Sequence, residues 1–161
     1  MSDNALRQQL AALAGRIAGR ALDAELDAWL NRELGAASPA FAQLKQACEA
    51  GVAEGWLCNR EGGGIRYGRA YKPAPDLQGF SVDVVDMHNI AGPHHSHPHG
   101  EIDLIMPIDG DALFDGRPAG WLVCAPGTAH CPTVSNGRAL VLYLLPEGRI
   151  DFTRGDSAAT P

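Results

Sequence analysis

The chain has 161 residues, 45% of them hydrophobic and 20% charged, and a formal net charge of -6 at pH 7. That length and composition suit one globular domain with its own core and exclude a disordered chain. The acidic balance, 19 Asp+Glu against 13 Lys+Arg, argues against a nucleic-acid partner. No apolar run approaches the ~20 residues that cross a membrane. The N-terminus lacks the basic start and continuous apolar stretch of a secretory signal, so the expected location is cytoplasmic, with no membrane partner. Cys48, Cys58, Cys124 and Cys131 form no CxxC pair and are read as free thiols.

Residues 1–56 read as a helical region. Leu6, Leu10, Leu13 and Ile17 recur on one helix face, with Ser2 or Asp3 to cap the start and Gly19 to weaken the end. A second stripe holds Leu22, Leu26, Trp29, Leu30 and Leu34 and ends at Gly35. The third helix starts at Ser38, with Pro39 at its first position. It buries Phe41, Leu44, Cys48 and Val52 and closes at Gly55. These stripes predict a packing layer or a dimerisation surface, and a homodimer is the expected assembly.

After Gly62, Gly63 and Gly64 the period changes from helical to alternating. Strands are predicted at 65–72, 80–90, 101–108, 120–125 and 138–145, with short turns at Asp109-Gly110-Asp111 and Asp115-Gly116. Many short strands with Gly, Pro and Asp punctuation predict an antiparallel sandwich or barrel over 57–152. The tail 153–161 has no large apolar residue to anchor it and is expected to be mobile. The predicted class is α+β, mainly β, with an N-terminal helical layer.

Five of the six histidines fall between positions 88 and 99. If 95–103 is one extended segment, then His95, His97, His99, Glu101 and Asp103 share a face. Three imidazoles and a carboxylate on one face suit a divalent transition metal, although a histidine-rich tract can also be a solvated loop. The sixth histidine, His130, follows the Pro126-Gly127 turn and would add a ligand from a second strand.

These two stretches resemble the paired motifs of the cupin superfamily. His95, His97 and Glu101 fit the first motif, and Gly120, Pro126, Gly127 and His130 fit the second. The resemblance covers residues 80–146. It departs from the pattern in the adjacency of Pro126 and Gly127 and in the late Gly110 and Asn136. It implies a cupin (double-stranded β-helix, jelly-roll) barrel with His95, His97, Glu101 and His130 as the metal set. Iron, manganese, zinc, nickel and copper all suit three imidazoles and a carboxylate.

The helical region, the strand GIRYGRAYKP and the stretch DMHNIAGPHHSHPHGEIDLIMP are similar to a narrower group. This is the small bacterial family that includes 4-hydroxylaminobenzoate lyase of nitrobenzoate degradation. The resemblance implies conversion of 4-hydroxylaminobenzoate and water to protocatechuate and ammonia, with the N–O bond as the oxidant. Such chemistry needs a group to move protons. Parity with Glu101 makes His99 the first candidate and Asp103 the second. It also needs a cation for the benzoate carboxylate. Arg69 shares parity with Tyr67 and Tyr71, and the three could project into one cavity, although a charged edge strand looks the same in sequence. Trp121 and Tyr143 read as core. The alternatives are an iron-dependent dioxygenase acting on a small aromatic or thiol, and a non-enzymatic ligand-sensing cupin.

Overall fold

The computed structural model describes residues 2–152, with side chains from residue 4 onward. The tail 153–161 lies outside the described residues, as do the side chains of Ser2 and Asp3 expected to cap the first helix. Three helices come first: α1 (Ser2–Ile17), α2 (Ala24–Glu33) and α3 (Pro39–Glu54). Their apolar stripes are buried. The third helix begins and ends as its sequence predicts. The Ser38 hydroxyl accepts from the Phe41 N–H at 3.1 Å. Gly55 takes the left-handed conformation and donates to the Gly51 carbonyl. In α2 the cap is Asp23, which accepts from Leu26 N–H at 3.0 Å. Leu22 therefore lies outside the helix. Gly35 ends the stripe for a steric reason: a Cβ there would stand 2.2 Å from the Asn31 carbonyl oxygen.

The rest is antiparallel β structure in two sheets. The strands are β1 (Arg60–Gly62), β2 (Ile65–Tyr71), β3 (Phe80–Ala91), β4 (His95–His97), β5 (Glu101–Pro107), β6 (Leu113–Phe114), β7 (Gly120–Cys124), β8 (Thr128–His130), β9 (Thr133–Pro146) and β10 (Asp151–Phe152). The seven-stranded sheet runs β1-β2-β3-β9-β5-β7, with β6 also on β9. The three-stranded sheet runs β10-β4-β8. The β1–β2 hairpin was not predicted. Gly63 and Gly64, with φ of 59° and 83°, turn it, so a glycine run that reads as a boundary is a hairpin loop.

The centre of the large sheet is buried on both faces, and every residue of β5 is buried. One face carries Val82, Val84, Ile102, Leu104, Trp121, Leu140, Leu142 and Leu144 and packs under the three helices in a single core. The helical stripes are therefore interior packing. Truncating a residue such as Leu30 there is worth about 2–5 kcal/mol of stability. The other face carries Met87, Ile105, Ala139, Val141, Tyr143 and Leu145 and packs with Phe114 and Val134 in a second core.

Helix α2 also covers the sheet's last strand. Trp121 N–H donates to Asn31 Oδ1 at 2.8 Å and Asn31 Nδ2 donates to the Trp121 carbonyl at 2.9 Å. Val123 N–H donates to Asp27 at 2.9 Å. Polar side chains of a helix thus stand in for the missing neighbouring strand.

Candidate metal centre

The ligand candidates come from both sheets. His95 and His97 lie on β4 with one residue between them, so they share a face. His130 lies on β8 directly opposite His95. Glu101 opens β5 in the large sheet. The single extended segment expected over 95–103 does not exist. Residues 98–100 form a turn, with Gly100 at φ 92°. The turn carries the chain from the small sheet to the large one, so Glu101 meets the histidines from across the barrel and not from along their own strand.

The three Nε2 atoms converge on the Glu101 carboxylate. His95 and His97 stand 3.4 and 3.3 Å from Oε1, and His130 stands 3.6 Å from Oε2. The Nε2 atoms of His95 and His130 are 3.1 Å apart. Donor atoms about 2.1 Å from an ion stand about 3.0 Å apart at right angles and about 3.4 Å apart in a tetrahedron. Three of the four observed spacings fall in that range, and the His130–Glu101 spacing lies just above it. His97 Nε2 and both Glu101 oxygens are buried with no hydrogen-bond partner among the described residues. Buried polar atoms left in this state call for a further partner. A divalent cation meets all three needs, and the set of three imidazoles and one carboxylate suits a transition metal.

Outer contacts aim two of the rings. The Thr128 hydroxyl donates to the Ala125 carbonyl at 2.6 Å, which leaves its oxygen to accept from His97 Nδ1–H at 2.9 Å. His130 Nδ1 lies 2.5 Å from Asp115 Oδ2. Phe114 packs edge-on to His130 with ring centroids 6.1 Å apart. The half-exposed Phe152 lies edge-on to His95 at 5.8 Å.

The charges follow from this packing. Burial alone would push the Glu101 carboxyl up, but His130, His95, His97 and Asp103 outweigh it and hold the group well below the usual carboxylate range. Asp103 goes the other way. Complete burial and the neighbouring Glu101 charge push it well above that range. His130 is partly buried, which works against its charged form. Its hydrogen bond to Asp115 and the nearby Asp115 and Glu101 charges prevail, and its pKa is pushed up to about 9.

The other candidates divide. Asp103 lies in the site, two residues along β5 from Glu101, with both oxygens buried and unpartnered among the described residues. His99 does not. It stands in the turn, exposed, 3.5 Å from Glu147, because the strand whose parity would have aimed it inward stops at His97. Arg69 does share the inner face. The ladders place Arg69 opposite Asp83, Asp83 opposite Tyr143, and Tyr143 opposite Asp103. Asp83 holds its guanidinium at 2.8 and 3.2 Å, and the Gly148 carbonyl accepts from it at 3.2 Å. Tyr67 is on the same face, partly exposed, with Arg60 over its ring at 5.9 Å.

Tyr71 corrects the expectation that the three project together. A bulge between Arg69 and Tyr71 breaks the alternation, and Tyr71 is buried in the core under the helices. Trp121 packs in that same core and donates to the Leu34 carbonyl at 2.9 Å. Sequence reasoning missed Asp115, Thr128 and the place of Cys124. Cys124 pairs across the ladder with Glu101, and burial and the Glu101 charge push its thiol up to about 12. The only sequence signal for Asp115 is its Asp-Gly turn, which predicts a backbone shape and not a side-chain target.

Two facing antiparallel sheets with three histidines and a glutamate buried between them define a cupin-type barrel with a site compatible with a metal ion. A family model described as PnbB, 4-hydroxylaminobenzoate lyase, matches residues 8–152. The chain is 32% identical over 154 residues to a 4-hydroxylaminobenzoate lyase of Pseudomonas putida, covering 85% of this chain and 88% of that protein. It is 32% identical over 149 residues to a 4-hydroxylaminobenzoate lyase of Nocardioides sp. (strain LMS-CY), covering 87% and 86%. The chain belongs to the 4-hydroxylaminobenzoate lyase family. It is also similar, at 21% identity and a TM-score of 0.43 over 58% of this chain and 57% of that one, to an oxalate oxidase in complex with the substrate analogue glycolate. Among the described residues no helix is long and apolar enough to cross a membrane.

Proposed function

We propose that this chain is a metal-dependent lyase, located in the cytoplasm, that converts 4-hydroxylaminobenzoate and water to protocatechuate and ammonia. The convergence of three Nε2 atoms on a buried, partnerless Glu101 carboxylate carries the metal part of this reading. Family membership carries the substrate. His95, His97, Glu101 and His130 would hold the ion. When bound there, a divalent metal supplies Lewis acidity toward the hydroxylamine oxygen and lowers the pKa of a water.

The chain's own residues do the rest. The reaction must release hydroxide from nitrogen, deliver oxygen to the adjacent ring carbon and hydrolyse the resulting imine. Asp103, whose pKa burial and the Glu101 charge push well above the usual carboxylate range, is the proposed group to give a proton to departing hydroxide and to take one back later. Arg69 is the proposed partner of the benzoate carboxylate, shared with Asp83, and Tyr67 the proposed contact for the ring. Arg69 stands three strands from Asp103 along the inner face, about 14 Å at an inter-strand spacing of about 4.8 Å.

An anaerobic assay with 4-hydroxylaminobenzoate tests this reading. Equal yields of ammonia and protocatechuate without oxygen are expected. Turnover that begins only when oxygen is admitted would assign the site to the dioxygenase class instead.

A further inference from the structure

We propose that Asp115 is the positioning residue of the metal centre. Its carboxylate fixes His130 in the tautomer whose Nε2 lone pair faces Glu101, His95 and His97. The inference rests on the metal reading above.

The geometry allows little else. A carboxylate only accepts hydrogen bonds, so a ring nitrogen 2.5 Å from Asp115 Oδ2 must carry the hydrogen. That nitrogen is Nδ1, which leaves Nε2, 3.1 Å from His95 Nε2, as the free donor of an electron pair in the neutral ring. Asp115 is not itself a ligand candidate, because it approaches the far nitrogen of the ring. It belongs to the outer contacts that set a histidine's orientation and raise its basicity.

The carboxylate is itself held. Its second oxygen accepts from Thr133 N–H at 2.9 Å, and the Asp115 N–H donates to the Thr133 carbonyl at 2.8 Å. Phe114 and Arg117 exchange two backbone hydrogen bonds of 2.9 Å around Asp115 and Gly116. Both central residues have positive φ, 50° and 79°, which makes the loop a two-residue type I′ hairpin. Arg117 then ties the hairpin to the helical layer through Asp27, at 2.8 and 3.1 Å. A continuous set of contacts therefore runs from α2 through the hairpin to the imidazole. Thr128 plays the neutral counterpart toward His97, which gives an internal reference.

The hairpin makes the test clean, since both Asn and Gly suit a type I′ turn. In Asp115→Asn the side-chain oxygen still satisfies Thr133. The amide then points a donor at His130 Nδ1, which favours the opposite tautomer and turns an N–H toward the ligand cluster. Cobalt(II) is titrated into chelator-stripped full-length protein by calorimetry, and its visible absorption is recorded. Asp115→Asn is expected to bind cobalt(II) roughly 10–100-fold more weakly than the unsubstituted chain, with altered absorption bands. Both variants should still unfold in one cooperative metal-free transition, which shows that the fold is kept. Asp115→Gly removes the carboxylate and keeps the turn. Its affinity is expected to fall similarly and to recover on adding acetate.

Cobalt(II) affinity within about twofold of the unsubstituted chain in both variants, with the same spectrum, would overturn the proposal, since outer-shell losses are typically tenfold or more. So would loss of the fold in both, which would assign the carboxylate to the hairpin alone. Failure of the unsubstituted chain to bind cobalt(II) would remove the metal reading itself, and this proposal with it.

Discussion

Glu101 and Asp103 sit inside a seven-stranded ladder, whereas His95, His97 and His130 sit on three-residue strands of a three-stranded sheet. The ladder fixes the two carboxylates. Asp103 is paired on both sides, with Tyr143 on β9 and Leu122 on β7, Glu101 is paired with Cys124 on β7, and every residue of β5 is buried. A short strand cannot aim an imidazole so firmly. On that side the side chains of Thr128 and Asp115 supply the orientation. One site is thus held by two means, backbone register for the acids and side-chain bracing for the bases. Damage to each side should leave a different signature.

The largest expected effect comes from the ladder side. Glu101→Gln removes the one carboxylate among the four ligand candidates and should weaken metal binding by more than the roughly 10–100-fold typical of losing a residue that only orients a ligand. Calorimetric titration checks this, and turnover should vanish with it. Asp103→Asn keeps the shape but has no acidic proton. Steady-state kinetics should show kcat reduced by roughly 10²–10⁴ with metal content unchanged. That split would separate the two carboxylates by role despite their shared strand.

Smaller effects sharpen the comparison. Arg69→Met should raise KM about tenfold or more with kcat little changed, since a hydrogen bond to a charged group is worth about 1.5–3 kcal/mol. An unchanged KM would make Arg69 a partner of Asp83 and nothing more. Asn31→Ala unpairs the Trp121 N–H on the last strand of the large sheet. Denaturant unfolding should register about 1–3 kcal/mol of lost stability. Cobalt(II) affinity should hold, because Glu101 pairs with Cys124, three residues along β7 from Trp121.

The pH dependence of metal-free stability is the mildest test. The folded His130 pKa of about 9 lies above its ordinary 6.5, so the folded state binds more protons between those values. Its contribution is complete below pH 6.5 and is lost as pH rises through 9. Asp103 is also raised, and its burial likewise favours the folded state more at low pH than at high. Glu101 is depressed, so its contribution is present at neutral pH and is lost on acidification below its ordinary range. The melting temperature of chelator-treated protein should therefore fall from mildly acidic pH toward pH 9. His130→Asn should flatten that fall.

Much of this was legible in the sequence where one residue type has one physical job. Ser38, Pro39 and Gly55 mark a helix because a hydroxyl, a missing N–H and a missing Cβ each suit one place. The four metal-ligand candidates were legible through motif spacing. What spacing did not show is which sheet each belongs to. Parity holds only while a strand continues. It fails at the 98–100 turn, which moves His99 out to Glu147, and at the bulge after Arg69, which moves Tyr71 under the helices. Asp115 was hidden for a related reason. An Asp-Gly pair specifies its own turn, but the target of the aspartate lies 15 residues along the chain. Nothing local encodes that pairing.

The most direct measurement compares chelator-stripped and metal-reloaded protein in the absence of oxygen, with ammonia and protocatechuate quantified together. The expected result is no product from the stripped protein and equal yields of both products after reloading. Full turnover by stripped protein would contradict the central claim, because the His95, His97, Glu101 and His130 cluster would then not need an ion to run the reaction.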